Sequence, residues 1–412
     1  MNKKNSMKNK TMEIQVPVVI VGAGPAGLAT SACLNKLSVQ NIVLERDDCH
    51  SPVWRKRTYD RLKLHLGKSF CNLPHMPFSS DLPVFIPRVD FLRYLDDYVS
   101  TFKISVRCNR CVHEASFDVK TGKWRVCAVD SVKNVGEVYV ADYVVVASGE
   151  SCDAYIPKIV GLEKFEGEYF HCHKYQNGRP FYDKNVLVVG SGNSGMEIGY
   201  DLSTWGANSS MVIRSPVHFL IKEMVYIGMS LLKYLSVENV DKLMFFMSKL
   251  VYGDLSKYGL VRPKEGPFAL KLKGGRTPTV DVGTIKHIKQ GKIKVYSEIS
   301  SIKGGKTIEF IDGKTGHFDV IIFATGYRTN VHKWLKDYKE LFNENGLPKP
   351  AYPNHWKGEN GLYCVGFSRR GLQGINYDAQ KVATDISVNI KTKKIHATDD
   401  EDKIAQIKLL DE

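Results

Sequence analysis

Two copies of one short pattern occur in the sequence, and this repeat restricts the possible folds more than any other feature. In each copy an apolar, β-branched run leads into glycines spaced Gly-x-Gly-x-x-Gly, and a helix-like segment follows. The first copy runs from Val16 to Gly27 and the second from Val186 to Gly195. This order predicts a buried parallel strand, a tight turn and a helix, which together open a dinucleotide-binding fold.

Each glycine in the pattern has a separate role. The first permits the tight turn, the second lets the backbone approach a pyrophosphate, and the third lets the helix pack on the strand. The helix N-terminus then offers free N–H groups to the phosphates. The predicted nucleotide contacts are Gly22, Ala23, Gly24, Pro25, Ala26 and Gly27 in the first loop, and Gly190, Ser191, Gly192, Asn193, Ser194 and Gly195 in the second.

A second pair of similar segments closes each unit. In 142–149 and in 319–326, an aspartate precedes an alanine by the same interval, with a buried strand between them. We therefore expect an α/β protein with two Rossmann-like dinucleotide-binding domains, the first of them discontinuous. The predicted boundaries are a disordered basic tail at 1–14, the first domain at 15–182 and 326–390, the second at 183–325 with a helical insertion near 217–262, and a charged, loose tail at 391–412.

The two domains differ where the ribose is read. In the first, the strand Asn41–Leu44 leads to Glu45, and a carboxylate there accepts hydrogen bonds from ribose hydroxyls and repels a 2′-phosphate. In the second, a strand at 210–213 leads to Arg214, with Ser215 beside it. A guanidinium clamps a 2′-phosphate. The first domain therefore suits FAD and the second NADPH, although Arg214 on its own could be an ordinary surface arginine.

Composition limits the class of protein further. The chain has 412 residues and a net charge of +14. The charge suits anionic ligands or a solvated surface, but no basic stripe is interleaved with aromatics, so we predict no nucleic-acid partner. Nine cysteines without regular spacing favour a reducing compartment. With neither a signal peptide nor a transmembrane segment in the sequence, we predict a cytoplasmic protein that could associate with the endoplasmic reticulum surface.

The segment between the two domains fits a longer fingerprint. Phe165 to Tyr175 follows the order Phe-x-Gly-x-x-x-His-x-x-x-Tyr, and Phe323 to Tyr327 reads Phe-Ala-Thr-Gly-Tyr. Both segments resemble the signatures of the flavin-containing monooxygenase family. The resemblance implies that His171 is a positioning residue near NADP at the domain interface, whereas the residue by itself could equally be a packed histidine.

Three further segments are similar to the plant YUCCA branch of that family, namely Lys56–Leu66, Gly192–Glu197 and Val365–Leu372. This similarity implies that FAD, NADPH and molecular oxygen convert a 2-oxo acid, indole-3-pyruvate, into the auxin indole-3-acetate through a peroxide at flavin C4a. Such chemistry requires neither a side-chain nucleophile nor a metal. Three departures indicate a divergent branch and leave the substrate open: Gly67 in place of a usual proline, the segment 68–72 and the segment 147–152.

The resemblance also carries cofactor contacts onto matching positions. It places FAD on the first glycine loop, Glu45 and Trp54, and NADP on the second loop and Arg214. Candidate walls for an apolar substrate are the helical insertion and the segment 367–377. The set of candidate cofactor-binding residues is completed by Arg46, Val112, Gly149, Ser215, Ala324, Thr325, Gly326, Tyr327 and Gly366.

Other functions stay open at this point. An NADPH-dependent disulfide oxidoreductase also pairs two such domains, and Cys108 and Cys111 form a Cys-x-x-Cys pair. That pair falls in the first domain, where structural thiols are favoured. An S- or N-oxygenating monooxygenase carries the same motifs. A Baeyer–Villiger enzyme is disfavoured by Tyr175 and Gln176 at the end of the fingerprint, and a redox-sensing scaffold by the intact glycine loops.

Overall fold

Two parallel five-stranded sheets organise the protein, which we describe from a computed structural model covering residues 12–410, without the side chains of 394 and 396–410. In each sheet, the strand that leads into a glycine loop lies in the middle. The first sheet has the order Leu362–Cys364, Tyr143–Val146, Val18–Val21, Asn41–Leu44 and Val106–Arg107. The second has the order Glu168–His171, Val320–Phe323, Asn185–Val189, Asn208–Val212 and Lys294–Tyr296.

The two central strands are apolar runs buried on both faces. All four residues of Val18–Val21 are buried, as expected for a strand covered by helices on each side of a parallel sheet. The segments that close each unit pair with them directly, since Val21 lies opposite Val146 and Val189 lies opposite Phe323. The repeat in the sequence is therefore a repeat in space, and the predicted α/β class with two Rossmann-like lobes is confirmed.

Smaller sheets extend the two lobes. A four-stranded sheet has the order Met12–Gln15, Val135–Ala141, Lys123–Asp130 and Arg110–Asp118. An antiparallel sheet has the order Ile299–Gly304, Thr307–Phe310 and Thr315–His317. Two-strand pairs join Phe219–Leu220 to Thr279–Val280 and Asp153–Ala154 to Tyr327–Arg328.

Helices cover both large sheets. Pro25–Lys36 and Asn193–Thr204 follow the two glycine loops, and Gly371–Leu410 packs along Pro25–Lys36. Among residues 12–410, no helix has the length and apolar character needed to cross a bilayer. The other α-helices are Pro52–Lys56, Arg88–Thr101, Lys222–Leu231, Val237–Tyr252, Pro267–Gly274, Thr284–Lys289 and Val331–Trp334.

The helical insertion forms a small core of its own. Its helices Lys222–Leu231, Val237–Tyr252 and Pro267–Gly274 enclose Met224 and Met244 together with neighbouring apolar side chains. The insertion is longer than predicted, because its closing strand ends only at Val280. Part of its apolar content is buried, as core packing requires, while the side chains of Phe246 and Leu250 are exposed.

Three predicted boundaries are wrong. Residues 1–11 of the predicted tail at 1–14 lie outside the described residues. The rest of the tail is ordered, because Met12–Gln15 is a strand that pairs in parallel with Val135–Ala141. The charged tail from residue 391 begins inside the helix Gly371–Leu410. Finally, the predicted boundary at 182 places Glu168–His171 in the first domain, yet this strand hydrogen-bonds to Val320–Phe323 as the edge strand of the second sheet.

Candidate functional site

A cavity of about 640 Å³ opens at the carboxyl ends of the first sheet's strands. In open α/β sheets, ligands bind at this end of the strands. Its walls come from segments far apart in the sequence. The predicted residues that line it are Gly22, Gly24, Pro25, Ala26, Glu45, Arg46, Trp54, Val112, Gly149 and Gly366.

The first glycine loop is shaped by close backbone contacts. A Cβ on Gly22, which has φ of +108°, would lie 2.6 Å from the carbonyl oxygen of Ala147, the residue after the closing strand. A Cβ on Gly27 would collide with the carbonyl oxygen of Gly22. Gly24, in contrast, has open space where a Cβ would stand. The outer two glycines are therefore required by the fold, and the middle one leaves room for a ligand.

Glu45 fixes the loop from the end of the neighbouring strand. One carboxylate oxygen accepts a hydrogen bond from the backbone N–H of Ala23 at 2.8 Å, and the other accepts one from Asp47 at 3.0 Å. Burial raises the pKa of Glu45, and these backbone donors oppose that shift. Each oxygen retains a lone pair for a ribose hydroxyl. Ala23 itself is buried and, like Gly27, does not line the cavity.

Three buried polar atoms in the cavity wall have no hydrogen-bond partner among the described residues. They are Ser148 Oγ, Glu150 Oε2 and Asn330 Oδ1. An unpaired buried polar atom is costly unless a ligand or water satisfies it. No motif marks Asn330, and Ser148 and Glu150 stand out in the sequence only as part of the divergent segment 147–152. Together with the open space at Gly24, they make the cavity fit a polar dinucleotide such as FAD.

The second glycine loop repeats the geometry of the first. A Cβ on Gly190, with φ of +122°, would lie 2.5 Å from the carbonyl oxygen of Ala324, and Gly192 again has open space. The loop is held from the insertion, because the Thr279 hydroxyl donates to the Ser191 carbonyl at 2.9 Å. Gly195 is buried, and Ser194 is only partly exposed. These features fit a second nucleotide, with its pyrophosphate at the N-terminus of the following helix.

A loop of the first lobe reaches this second glycine loop. The side-chain amide of Asn193 donates to Nδ1 of His65 at 3.0 Å, and its oxygen accepts from the Val280 backbone at 2.8 Å. Because the backbone N–H can only donate, it fixes the orientation of the amide. The helix N-terminus of the second lobe is therefore tied to the first lobe, by a contact that no motif in the sequence indicates.

Arg214 lies at the surface with its predicted neighbour. Its side chain is 67% exposed and pairs with Glu298 at 3.0 Å, and Ser215 is exposed beside it. The strand before it ends at Val212 rather than Ile213. A surface ion pair of this kind contributes about 0–1 kcal/mol, so a phosphate could displace Glu298 at small cost.

His171 holds the turn that follows the second closing strand. Its Nδ1 accepts from the His173 backbone at 3.3 Å, so Nε2 carries the proton and donates to the Gly326 carbonyl at 2.9 Å. The ring lies edge-on to Tyr327, with centroids 4.8 Å apart. Burial lowers the pKa of His171. The hydroxyl of Thr325 donates to the Tyr155 carbonyl, which holds the same turn on its other side.

At Gly67, where the related enzymes usually have proline, a side chain of the insertion occupies the space that a Cβ would need. A Cβ at Gly67 would collide with the ring of Tyr226, whose edge also packs on Phe70 with centroids 5.7 Å apart. Because a proline brings a Cβ, it would not fit beside this tyrosine. The helix Lys222–Leu231 therefore lies closely against the first lobe.

The Cys-x-x-Cys pair does not lie in the second lobe. Cys108 and Cys111 are both free thiols, and only Cys111 lines the cavity. Among the side chains that the structure describes, those of residues 12–393 and 395, no group of three or more His, Cys, Asp or Glu could hold a metal ion.

Two lobes that each present a glycine loop define an oxidoreductase of the two-dinucleotide class. The model of a family described as flavin-binding monooxygenase-like matches residues 15–369. The chain belongs to this flavin monooxygenase family, and within it to the YUCCA branch.

The relatives cover nearly the whole chain. A probable indole-3-pyruvate monooxygenase of Arabidopsis thaliana, YUCCA10, is 50% identical over 92% of this chain and 100% of its own length. Indole-3-pyruvate monooxygenase YUCCA1 of Oryza sativa is 46% identical over 93% of this chain and 94% of its own. A solved flavin-containing monooxygenase from Stenotrophomonas maltophilia has the same fold, with a TM-score of 0.69 at 20% identity, covering 92% of this chain and 99% of that one.

Proposed function

We propose that the protein is an indole-3-pyruvate monooxygenase that uses FAD and NADPH. In the overall reaction, indole-3-pyruvate, molecular oxygen, NADPH and a proton give indole-3-acetate, carbon dioxide, water and NADP⁺. One oxygen atom enters the new carboxylate and the other leaves as water, with two electrons from NADPH. The observation that carries the proposal is the cavity at the first glycine loop, in a chain that resembles the YUCCA enzymes over almost its full length.

The first lobe has the groups that FAD needs. Bound FAD, once reduced, would supply the oxygen-activating chemistry. The loop at Gly22–Gly27 would hold its pyrophosphate and Glu45 its ribose, as their positions on the cavity wall support. Ser148 and Asn330 would satisfy their unpaired oxygens on the same ligand.

The second lobe would hold NADPH. The open space at Gly192 leaves room for the pyrophosphate, and Arg214 would pair with the 2′-phosphate after releasing Glu298. His171 is not placed to act as an acid or base, because both ring nitrogens are engaged by backbone groups. We infer that it positions the turn at Gly326 instead.

The insertion helps to exclude water from the reacting groups. Tyr226 and Phe70 close the contact between the helix Lys222–Leu231 and the first lobe. Exclusion of water matters in this chemistry because an activated oxygen species otherwise decays to hydrogen peroxide. We further propose a cytoplasmic location, since all nine cysteines are free thiols, as expected in a reducing compartment.

Product analysis with purified protein tests the proposal. The yellow holoenzyme is supplied with NADPH and indole-3-pyruvate in air, and indole-3-acetate, hydrogen peroxide and NADPH oxidation are measured together. We expect about one indole-3-acetate for each NADPH. A thioether serves as the comparison substrate. Oxygenation of the thioether without any indole-3-acetate would replace this function with that of an S-oxygenating monooxygenase.

A further inference from the structure

Glu150, Lys271 and Arg369 lie on three separate segments. Glu150 follows the closing strand of the first lobe and lines the cavity, and Arg369 lies between the cavity-lining residues Gly366 and Gly371. Lys271 lies on the insertion helix Pro267–Gly274, and Arg369 on the loop after the strand Leu362–Cys364. Lys271 and Arg369 are both close enough to Glu150 to lower its pKa, against the larger effect of burial, which raises it.

The insertion helix and the loop contact each other directly. Nη1 of Arg369 donates to the carbonyl oxygen of Gly274 at 3.1 Å. A Cβ on the next residue, Gly275, would lie 2.6 Å from the same nitrogen, so a glycine is needed for the guanidinium to lie there. Arg369 thereby holds the end of the insertion helix that carries Lys271 against the loop between Gly366 and Gly371, and these two glycines line the cavity.

Both cations lack an acidic partner. In the part of the chain that the structure describes, neither Lys271 nor Arg369 forms an ion pair within 4.0 Å. Lys271 donates only to the Thr277 hydroxyl, at 3.0 Å, and burial lowers its pKa. Glu150 keeps an unpaired oxygen. A half-buried cation without a counter-ion gains most from an anionic ligand.

Arg370, the residue next to Arg369, makes a different kind of contact. The guanidinium of Arg370 lies over the ring of Tyr352, 3.7 Å from its centroid, in a cation–π contact. On the cavity side, Leu372 and Ile375 provide an apolar wall just beyond Arg369. A cationic group and an apolar surface are thus adjacent, which is the combination that an aryl-substituted 2-oxo acid requires.

We propose that Lys271 and Arg369 bind the carboxylate of the 2-oxo acid substrate, with its aromatic part against Leu372 and Ile375. This assignment rests on the proposed function and identifies the residues that select for an acid. Glu150 limits the local positive charge, so removing its charge strengthens the binding of the anion.

Binding and kinetics of charge-removing variants test the assignment. The variants Lys271→Gln and Arg369→Gln are each expected to raise both the dissociation constant and KM for indole-3-pyruvate by about tenfold or more. Glu150→Gln should lower both. The matched control Arg370→Gln should change them less than about twofold, because that guanidinium is held on Tyr352. The dissociation constants are measured by calorimetry on the holoenzyme.

Two comparisons separate substrate binding from a structural role. Indole-3-acetone, which lacks the carboxylate, should bind the wild type and the Lys271 and Arg369 variants alike, and the anaerobic rate of flavin reduction by NADPH should not change in those two variants. An equal loss of affinity for the ketone and the acid, or slower flavin reduction at unchanged KM, would overturn the assignment. If the wild type binds the acid tightly but releases no indole-3-acetate, the proposed function fails, while the calorimetric comparison still decides the carboxylate site.

Discussion

Nε2 of His65 lies 2.7 Å from a carboxylate oxygen of Glu197, whose side chain is only 2% exposed. Since Nδ1 of the same ring accepts from Asn193, Nε2 carries the proton and donates to Glu197. One histidine therefore joins a loop of the first lobe to two residues of the helix after the second glycine loop. This contact fixes the helix after the second glycine loop relative to the first lobe.

Removal of His65 should destabilise the protein strongly. His65→Ala leaves the buried Glu197 carboxylate without its hydrogen-bond donor, and we expect a loss of about 3 kcal/mol in the free energy of unfolding. The double variant His65→Ala, Glu197→Ala should lose less than the sum of the single losses, because the unpaired charge is gone. Denaturant unfolding of the wild type, the two single variants and the double variant measures the coupling energy between the two side chains. Strictly additive losses in the free energy of unfolding would show that the two residues do not interact.

The glycines of the first loop should respond differently to the same substitution. In Gly24→Val the added side chain meets open space in the protein, so the chain should fold, but it should retain less than about a tenth of the flavin. In Gly27→Val the side chain collides with the Gly22 carbonyl, so little folded protein is expected. Circular dichroism and flavin absorbance separate the two outcomes. If the Gly24→Val protein kept its full flavin content, the pyrophosphate would not bind at this loop.

Arg214 should distinguish NADPH from NADH. In Arg214→Glu, we expect KM for NADPH to rise at least tenfold, since a charge-assisted phosphate contact becomes a repulsion, while KM for NADH changes less than about twofold. Glu298→Gln is the matched control, because it frees Arg214 from its partner and should leave KM for NADPH equal or lower. Equal losses for both nucleotides in Arg214→Glu would refute the 2′-phosphate contact.

His171 should make the fold sensitive to mild acid. Burial lowers its pKa, whereas the unfolded chain takes up the proton near pH 6.5. The unfolded state then binds more protons, so stability is complete above about pH 6.5 and is lost as the pH falls below it. In His171→Gln, the decrease in Tm between pH 7.5 and 5.5 should be smaller by roughly 2 °C. The control is His317→Gln, because His317 is exposed. If His171→Gln showed the same decrease in Tm as the wild type, other titrating groups would cause the acid sensitivity.

Local motifs predicted the two lobes because each motif contains the strand, the turn and the helix that it describes. In each motif, the apolar run that precedes the glycines predicted the position of a strand, Val18–Val21 or Asn185–Val189, to within a few residues. The strand Glu168–His171 was misassigned for the opposite reason. Its hydrogen-bonding partner, Val320–Phe323, is remote in the sequence, and adjacency along the chain suggested the wrong sheet.

By itself, the sequence determined the two glycine loops and the strand-end residues Glu45 and Arg214, which we predict to distinguish their ligands. These features depend on covalent order and on contacts within one strand–turn–helix unit. The tertiary structure alone decided that His65 meets Glu197, 132 positions away, and that Arg369 reaches Gly274, 95 positions away. Such contacts arise only when separate layers pack together, and no short-range pattern of residues encodes which side chains will then face each other.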